Sequence, residues 1–372
     1  MNHSHQAVAM ESINRSSDYP VSLDDVALPS ELPPLVLVAF TRPDLLNEVL
    51  LGISQQSLRP QRVIAFVDGP RKQRDENLIN QCVSLLHEFS NTIPVKVVQR
   101  AHNLGRHPSG NLNIIWGLEE VLSTYDSLVY LEDDIVPNPH FYDRMCRLLE
   151  AYRNHPKVFS VSAYASLPGE LGDVTDADFI VSNRVFSWGF GIWSDRWHEI
   201  DLPNQPPQYN PFGSFYKIPA TVQTKLTMVN QFWIEKNRQN DWVIALTLGA
   251  LSKDKIHIIP TTSFVKNIGF GHPEAKTYTG QESSWVNARY DSSGRLNRLP
   301  PSLELSNVLR SPLSGVNLAR YLSTHKGLWL SPSATWYLIR RYRSLQTAVS
   351  LLTLFSVRIP IMLRRWRSRR PV

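Results

Sequence analysis

The sequence predicts an α/β protein built on a mainly parallel sheet with helices on both faces, and three observations carry that expectation. Short apolar runs of four to six residues alternate with longer segments of helical periodicity. Most of the runs are continuously apolar rather than alternating, as strands covered on both faces must be. Each run also breaks into polar or charged residues at its carboxyl end, the edge where open parallel sheets bind ligands.

The elements follow in order. "LVLVAF" (35–40) suits a central strand, and Asp44 to Ile53 carries apolar residues at 46, 49, 50 and 53, one face of a helix. "VIAFV" (63–67) is the second strand, followed by a helix with Leu78, Cys82, Leu85, Leu86 and Phe89 in register. "VKVV" (95–98) is the third, then "HNLGRHPSG" and a helix through Leu112, Ile115, Leu118 and Leu122. "LVYL" (128–131) is the fourth strand, and a helix through Met145, Leu148, Leu149 and Tyr152 comes after it. The second half is less regular. It holds "VFSVSAY" (158–164), "RVFSWGFGIWSDRW" (184–197), a Pro-rich loop over 202–219, a helix over 241–251, "KIHIIP" (255–260) and "SFVKNIGFGHPEAKT".

Composition narrows the class. Residues 305–372 hold twelve Lys or Arg and no Asp or Glu, which leaves 27 basic against 33 acidic residues elsewhere. The chain therefore reads as a mildly acidic body with a basic appendage, and nucleic-acid binding by the body is not expected. Cys82 and Cys146 have neither disulfide nor metal-ligand spacing; both fall at core-facing helix positions, and a reducing compartment is expected. Residues 1–33 are polar without an apolar signal region and read as a flexible lead-in.

The first four strands place Thr41-Arg42, Asp68-Gly69, Arg100 to Gly105 and Glu132-Asp133-Asp134 along one edge. Three adjacent carboxylates there can solvate a loop or cap a helix. They can also hold a hard divalent cation, Mg²⁺ or Mn²⁺, which relieves their repulsion and can bind a diphosphate. Taken alone, Asp241 is equally an N-cap for the helix starting at Trp242, Asp68 a turn residue, and Arg42 a solvated loop charge. At least two of Trp188, Trp193 and Trp197 read as core packing, while a tryptophan face can also stack on a sugar and the neighbouring glycines let backbone approach a ligand. "NLGRHPSG" lacks the Walker spacing, so Arg100, Asn103 and Gly105 are near-site residues.

With these segments in view, residues 34–285 resemble a GT-A-fold glycosyltransferase of the N-acetylglucosaminyltransferase I type and its bacterial relatives. The resemblance runs through "AFTRPD", "FVDG", "LEDD", "FSWGFGIWSDRW" and "NDWVIAL", in that order. It implies Asp134 as the ligand of Mn²⁺ or Mg²⁺, Asp133 near the ribose and Glu132 supporting the donor sugar. It also implies Thr41 and Arg42 at the nucleotide, Asp68 at the base, Gly189 and Gly191 at the sugar pocket, and Asp241 as catalytic base. Lys276-Thr277-Tyr278 departs from the Thr-His pair that many relatives have there, and Thr277 is the residue of that loop taken to meet the phosphates. The implied activity is inverting, metal-dependent transfer from a nucleotide sugar, UDP-linked by preference, to a glycan or lipid-linked acceptor. A sugar-phosphate nucleotidyltransferase is the rival enzyme, although "AFTRPD" lacks that class's Gly-rich loop; a non-catalytic saccharide-binding protein is the rival outside enzymes.

The resulting organisation is a lead-in (1–33), a GT-A domain (34–300) and a basic helical tail (301–372). In the tail, residues 345–363 would form a helix of about 28 Å, interrupted by Arg358 and Pro360 and flanked by arginines on both sides. Basic flanks at both ends suit a helix lying on an anionic leaflet better than one spanning it. The expected location is peripheral, on the cytoplasmic membrane face.

Overall fold

The computed structural model describes residues 21–107, 110–165, 176–202, 242–275 and 289–305, together with residues 336, 340, 345 and 363. After a 3₁₀ turn (Leu23–Asp25) the chain forms β1 (Leu35–Ala39), α1 (Pro43–Ser54), β2 (Val63–Val67), α2 (Gln73–Phe89) and β3 (Val95–Gln99). Two short strands, β4 (Arg106–His107) and β5 (Gly110–Asn111), lead into α3 (Leu112–Leu122), β6 (Ser127–Glu132), β7 (Ile135–Pro137) and α4 (Phe141–Ala151). The remainder is β8 (Val158–Ser162), β9 (Phe179–Ser182), β10 (Phe190–Trp193), α5 (Ser194–His198), α6 (Trp242–Ser252), β11 (Ile256–Pro260) and β12 (Val265–Asn267).

Eight strands make one sheet in the order β3-β2-β1-β6-β10-β8-β11-β9. The four strands expected from the apolar runs are β3, β2, β1 and β6, and the ladders among them are parallel. β10 then runs antiparallel to both β6 and β8, and β9 antiparallel to β11, so the α/β sheet is mixed beyond its first half. β9 and the β7–β12 ribbon are additions to the expected elements. Being only three or four residues long, these strands carry too little periodicity to stand out.

Alternation along each strand sorts its residues onto two cores. Leu35, Leu37 and Ala39 pack with Leu46, Leu50 and Ile53 of α1, Ile79 and Cys82 of α2, and Met145 and Leu149 of α4. Val36, Val38 and Tyr130 pack on the opposite face with Ile115 and Leu118 of α3, Trp197 of α5, and Trp242 and Leu246 of α6. Both cysteines are free and buried, and burial pushes the Cys82 thiol up to about 12, as inert core thiols require. β3, at the sheet edge, exposes Lys96 and Gln99, charges and polar groups that discourage further strand pairing.

Residues 21–33, assigned to the lead-in by composition, are packed. Leu23 is wholly buried, its amide donates to the Asn297 carbonyl (2.9 Å), and the Leu299 amide donates to the Val21 carbonyl (2.9 Å). The two ends of the body thus clasp each other against α4. Arg144, 1% exposed, donates from Nη1 to Asp24 Oδ1 (3.0 Å) and to the Leu296 carbonyl (3.3 Å), and its remaining nitrogens hold Asp143. The four described tail residues are helical, and Trp336, Leu345 and Leu363 are exposed. No described helix is long and apolar enough to cross a membrane.

Candidate active site

Parallel register brings the expected residues to one edge. Ala39 lies beside Val67, Val67 beside Gln99 and Val38 beside Glu132, so the segments after β1, β2, β3 and β6 leave the sheet together. The acidic triplet that follows β6 is then divided by its own geometry. Glu132 falls on the face of Tyr130, whose phenol is driven well above its usual range by burial and then by the Glu132 charge. Asp133 turns to the other face, where its Oδ2 accepts the Phe40 amide (3.1 Å). Asp134 lies beyond the strand, between Arg42 and the turn after β12.

Arg42 joins the last two. Its Nη2 donates to Asp133 Oδ1 and its Nη1 to Asp134 Oδ2 (2.6 Å). All three side chains are enclosed, with 17%, 3% and 9% exposure. Burial alone would lower the Arg42 pKa, but the two carboxylates outweigh it and the net direction is up. Asp134 moves up from the ordinary carboxylate range because burial disfavours its charge more than Arg42 supports it; Asp133 adds to the rise.

Asp134 Oδ1 is buried with no hydrogen-bond partner. Among the described residues no group of three or more His, Cys, Asp or Glu is placed to hold a metal ion. A hard cation of the Mg²⁺ type needs no such cage, since one or two carboxylates suffice when substrate phosphates and water complete the shell. The free Oδ1 beside a second carboxylate fits that requirement.

Asp68 behaves differently. Its Oδ1 accepts the amides of Gly69 (2.9 Å) and Leu104 (3.0 Å), and its Oδ2 accepts Asn103 Nδ2 (2.8 Å). Asn103 Nδ2 also reaches the Gly69 carbonyl (3.1 Å), and its Oδ1 accepts the Gly105 amide (3.2 Å). Asp68 and Asn103 therefore staple the loops after β2 and β3 together. Burial raises the Asp68 pKa, against the pull of the Leu104 and Gly69 amides. Gly105 takes a positive φ of 72° into open space, the conformation that closes this loop.

Thr41 and the two glycines at β10 are enclosed in the fold. Thr41, between the end of β1 and the start of α1, is 1% exposed. A side chain at Gly191 would collide with Val161 and crowd Met145 and Leu149, so that glycine serves sheet–helix packing under α4. Gly189 lies at the carboxyl end of β6 with a φ of 66°, its carbonyl accepts the Ala163 amide (2.7 Å), and a Cβ there would likewise collide with Ala163 and Phe141. Trp188, next to it, packs on Tyr164 (4.4 Å between centroids) and Phe270 (6.1 Å), whereas Trp193 and Trp197 are core residues whose indole nitrogens donate to the Leu149 carbonyl and Glu119. Asp241 and Thr277 lie outside the described residues. Trp242, immediately after Asp241, packs edge-on against Tyr130 (5.5 Å) and Phe190 (6.0 Å) at the end of β6.

The turn after β12 contributes contacts to Asp134 and to the starts of two helices. The Ile268 amide donates to the Asp134 carbonyl (2.9 Å), and Gly269 presses so closely on the Asp134 side chain that a Cβ would overlap it. Farther along, His272 Nε2 meets Asp44 Oδ2 (3.1 Å) at the start of α1, and Glu274 meets Arg71 (3.5 Å) and Arg74 (3.6 Å) at the start of α2. Arg71 lies over the Phe40 ring at 4.5 Å. The glycines of "NIGFG" were the available signal; the pairing of the following loop with two helix starts left none.

No family model matches the chain, and no curated protein matches it. Solved structures do. S. aureus TarS 1–349 in complex with UDP-GlcNAc aligns at a TM-score of 0.30 and 13% identity, covering 44% of this chain and 45% of that one. A UDP-glucose pyrophosphorylase complexed with UDP-glucose aligns at 0.35 and 11%, covering 62% and 90%. The galactosyltransferase LgtC in complex with donor and acceptor sugar analogs aligns at 0.28 and 9%, covering 59% and 70%. The chain spans 30% of the TarS chain and 52% of its 1–349 piece. The chemistry of this chain rests on its own site residues and not on these likenesses.

Proposed function

We propose that the chain transfers a glycosyl group from a nucleoside-diphosphate sugar, UDP-linked by preference, to a hydroxyl of a glycan or lipid-linked acceptor. The observation that carries this reading is the buried pair Asp133–Asp134 at the carboxyl edge of the parallel strands, with Asp134 Oδ1 unpartnered. Asp134 would hold Mn²⁺ or Mg²⁺, with Asp133 beside it. Such an ion supplies charge neutralisation of the departing diphosphate.

The other roles belong to the chain. Asp133, fixed by the Phe40 amide and Arg42, is available to a ribose hydroxyl. Asp68 and Asn103 shape the loops around the base, and Glu132 and Gly189 border the donor sugar. Asp241 is proposed as general base. An acceptor hydroxyl attacks the anomeric carbon, its proton passes to the Asp241 carboxylate, and the carbon–oxygen bond to the diphosphate breaks with the electron pair leaving on the nucleotide. One displacement inverts the anomeric configuration. An aspartate is ionised near pH 7 at its unperturbed pKa of about 3.9. The place of Trp242 against Tyr130 supports a helix start close to this edge. The basic residues of 305–372 are proposed to hold the protein on an anionic, cytoplasmic membrane surface, near a lipid-linked acceptor.

A panel of nucleotide sugars, assayed for hydrolysis with and without Mn²⁺, tests the reading. Metal-dependent turnover of one sugar nucleotide is expected, and Asp134→Asn should lower it by at least about a hundredfold while the protein stays folded. Turnover that is equal in Asp134→Asn and wild type would sink the assignment. In the same preparations, a chain ending at residue 339 should lose pelleting with anionic vesicles; retained pelleting rejects the tail as anchor.

A further inference from the structure

Arg42 places one positive charge between two buried carboxylates. Nη2 is committed to Asp133 and Nη1 to Asp134 Oδ2 at 2.6 Å, so the guanidinium fork is divided between two side chains rather than closed on one. The trio carries a net charge of −1, and Asp134 Oδ1 remains without a partner. A divalent cation entering at that oxygen meets two carboxylates already shared with a guanidinium. The total then becomes +1 in an enclosed place, which favours neither the cation nor Arg42. A diphosphate removes the conflict, because it brings negative charge for both cations and offers the fork a bidentate anion.

We propose that Arg42 is the resident counter-ion of the carboxylate pair: it holds Asp133 and Asp134 in place in the empty protein and makes divalent-cation binding depend on the donor's diphosphate. The inference rests on the metal reading above and adds a binding order to it. Cation alone binds weakly, diphosphate and cation bind together, and Arg42 couples the two. The Phe40 amide keeps Asp133 anchored throughout, since that bond is made by backbone and is independent of Arg42.

Calorimetric titration of Mn²⁺ into the full-length protein, without and with UDP, tests the order. Wild type should bind Mn²⁺ weakly alone and at least about tenfold more tightly with UDP. Arg42→Met, free of the competitor, should bind Mn²⁺ alone about tenfold or more tightly than wild type, and gain less from UDP. Arg42→Lys keeps the charge but cannot fork, so it should fall between them; it also serves if the methionine variant does not fold. Asp134→Asn should bind no Mn²⁺ in either condition. If the Arg42 variants bind Mn²⁺ no more tightly than wild type while binding still requires Asp134, the counter-ion role is overturned and the metal reading stands. If neither wild type nor Arg42 variants bind Mn²⁺ with UDP present, the metal reading fails and the inference with it.

Discussion

His257 shows how much one buried side chain can decide at the residue scale. It lies inside the sheet on β11, with Nδ1 hydrogen-bonded to Ser160 Oγ (2.8 Å) and its ring edge-on to Phe159. Burial alone pushes its pKa down to about 3, so the folded protein holds it neutral. The unfolded chain takes up a proton near pH 6.5, and stability is fully present above that pH and lost as pH falls toward 3. Wild type should therefore lose about 2 kcal/mol relative to His257→Gln between pH 7 and pH 5. Urea midpoints of both proteins across that range measure it; parallel pH profiles would show that His257 is not the group responsible. The residues of the site were unevenly legible. Asp134 was visible because three consecutive carboxylates end an apolar strand at the edge where parallel sheets bind ligands. Asp68 was visible too, yet its work in bracing Gly69 and Leu104 depends on backbone amides, which sequence does not display.

Helix α4 is the element that joins the site's core to the rest of the body. Its apolar face, with Met145, Leu148 and Leu149, was readable from helical periodicity. Its buried Arg144 was not. The periodicity places position 144 near the core boundary, but the partners Asp24 and Leu296 are 120 and 152 residues away. No local pattern encodes a contact at that separation. Arg144→Met removes the guanidinium from Asp143, Asp24 and the Leu296 carbonyl; Asp24 is exposed and Asp143 keeps Arg147, so the cost should be about 1–3 kcal/mol, from the buried groups left without their donor. Arg153→Met, which removes an exposed i,i+3 pair with Glu150, should cost less than about 1 kcal/mol. Denaturant unfolding of the two variants compares them directly; similar midpoints would deny Arg144 its structural role. The first four strands were legible because each is a short, largely apolar run that can be read without knowing its partner, even where that partner is as distant as β6 is from β1.

At the scale of the whole molecule, the clasp between residues 21–26 and 295–299 sets where the body begins and ends. A chain of residues 34–300 keeps every strand of the large sheet but loses Leu23 and Val26, whose burial contributes about 3–6 kcal/mol together. It also loses the Asp24 contact to Arg144. A chain of residues 21–305 retains both. Thermal melts should show the longer piece unfolding cooperatively near the full-length protein and the shorter one far below it. Equal melting of the two would mean that the clasp adds nothing.

The clasp also gives synthesis a timetable. Ser22 and Asp24 leave the ribosome 275 and 273 residues ahead of their partner Asn297. At about 5–20 residues per second, that separation amounts to tens of seconds during which Leu23 has nothing to cover it. The parallel strands can assemble in that interval, since β1, β2, β3 and β6 are all made within the first 132 residues. Arg144 can find Asp143 at once, because the two are adjacent in sequence. Only when Leu296 and Asn297 emerge can the described body shut around α4, so closure of the clasp waits on translation of residues 295–299.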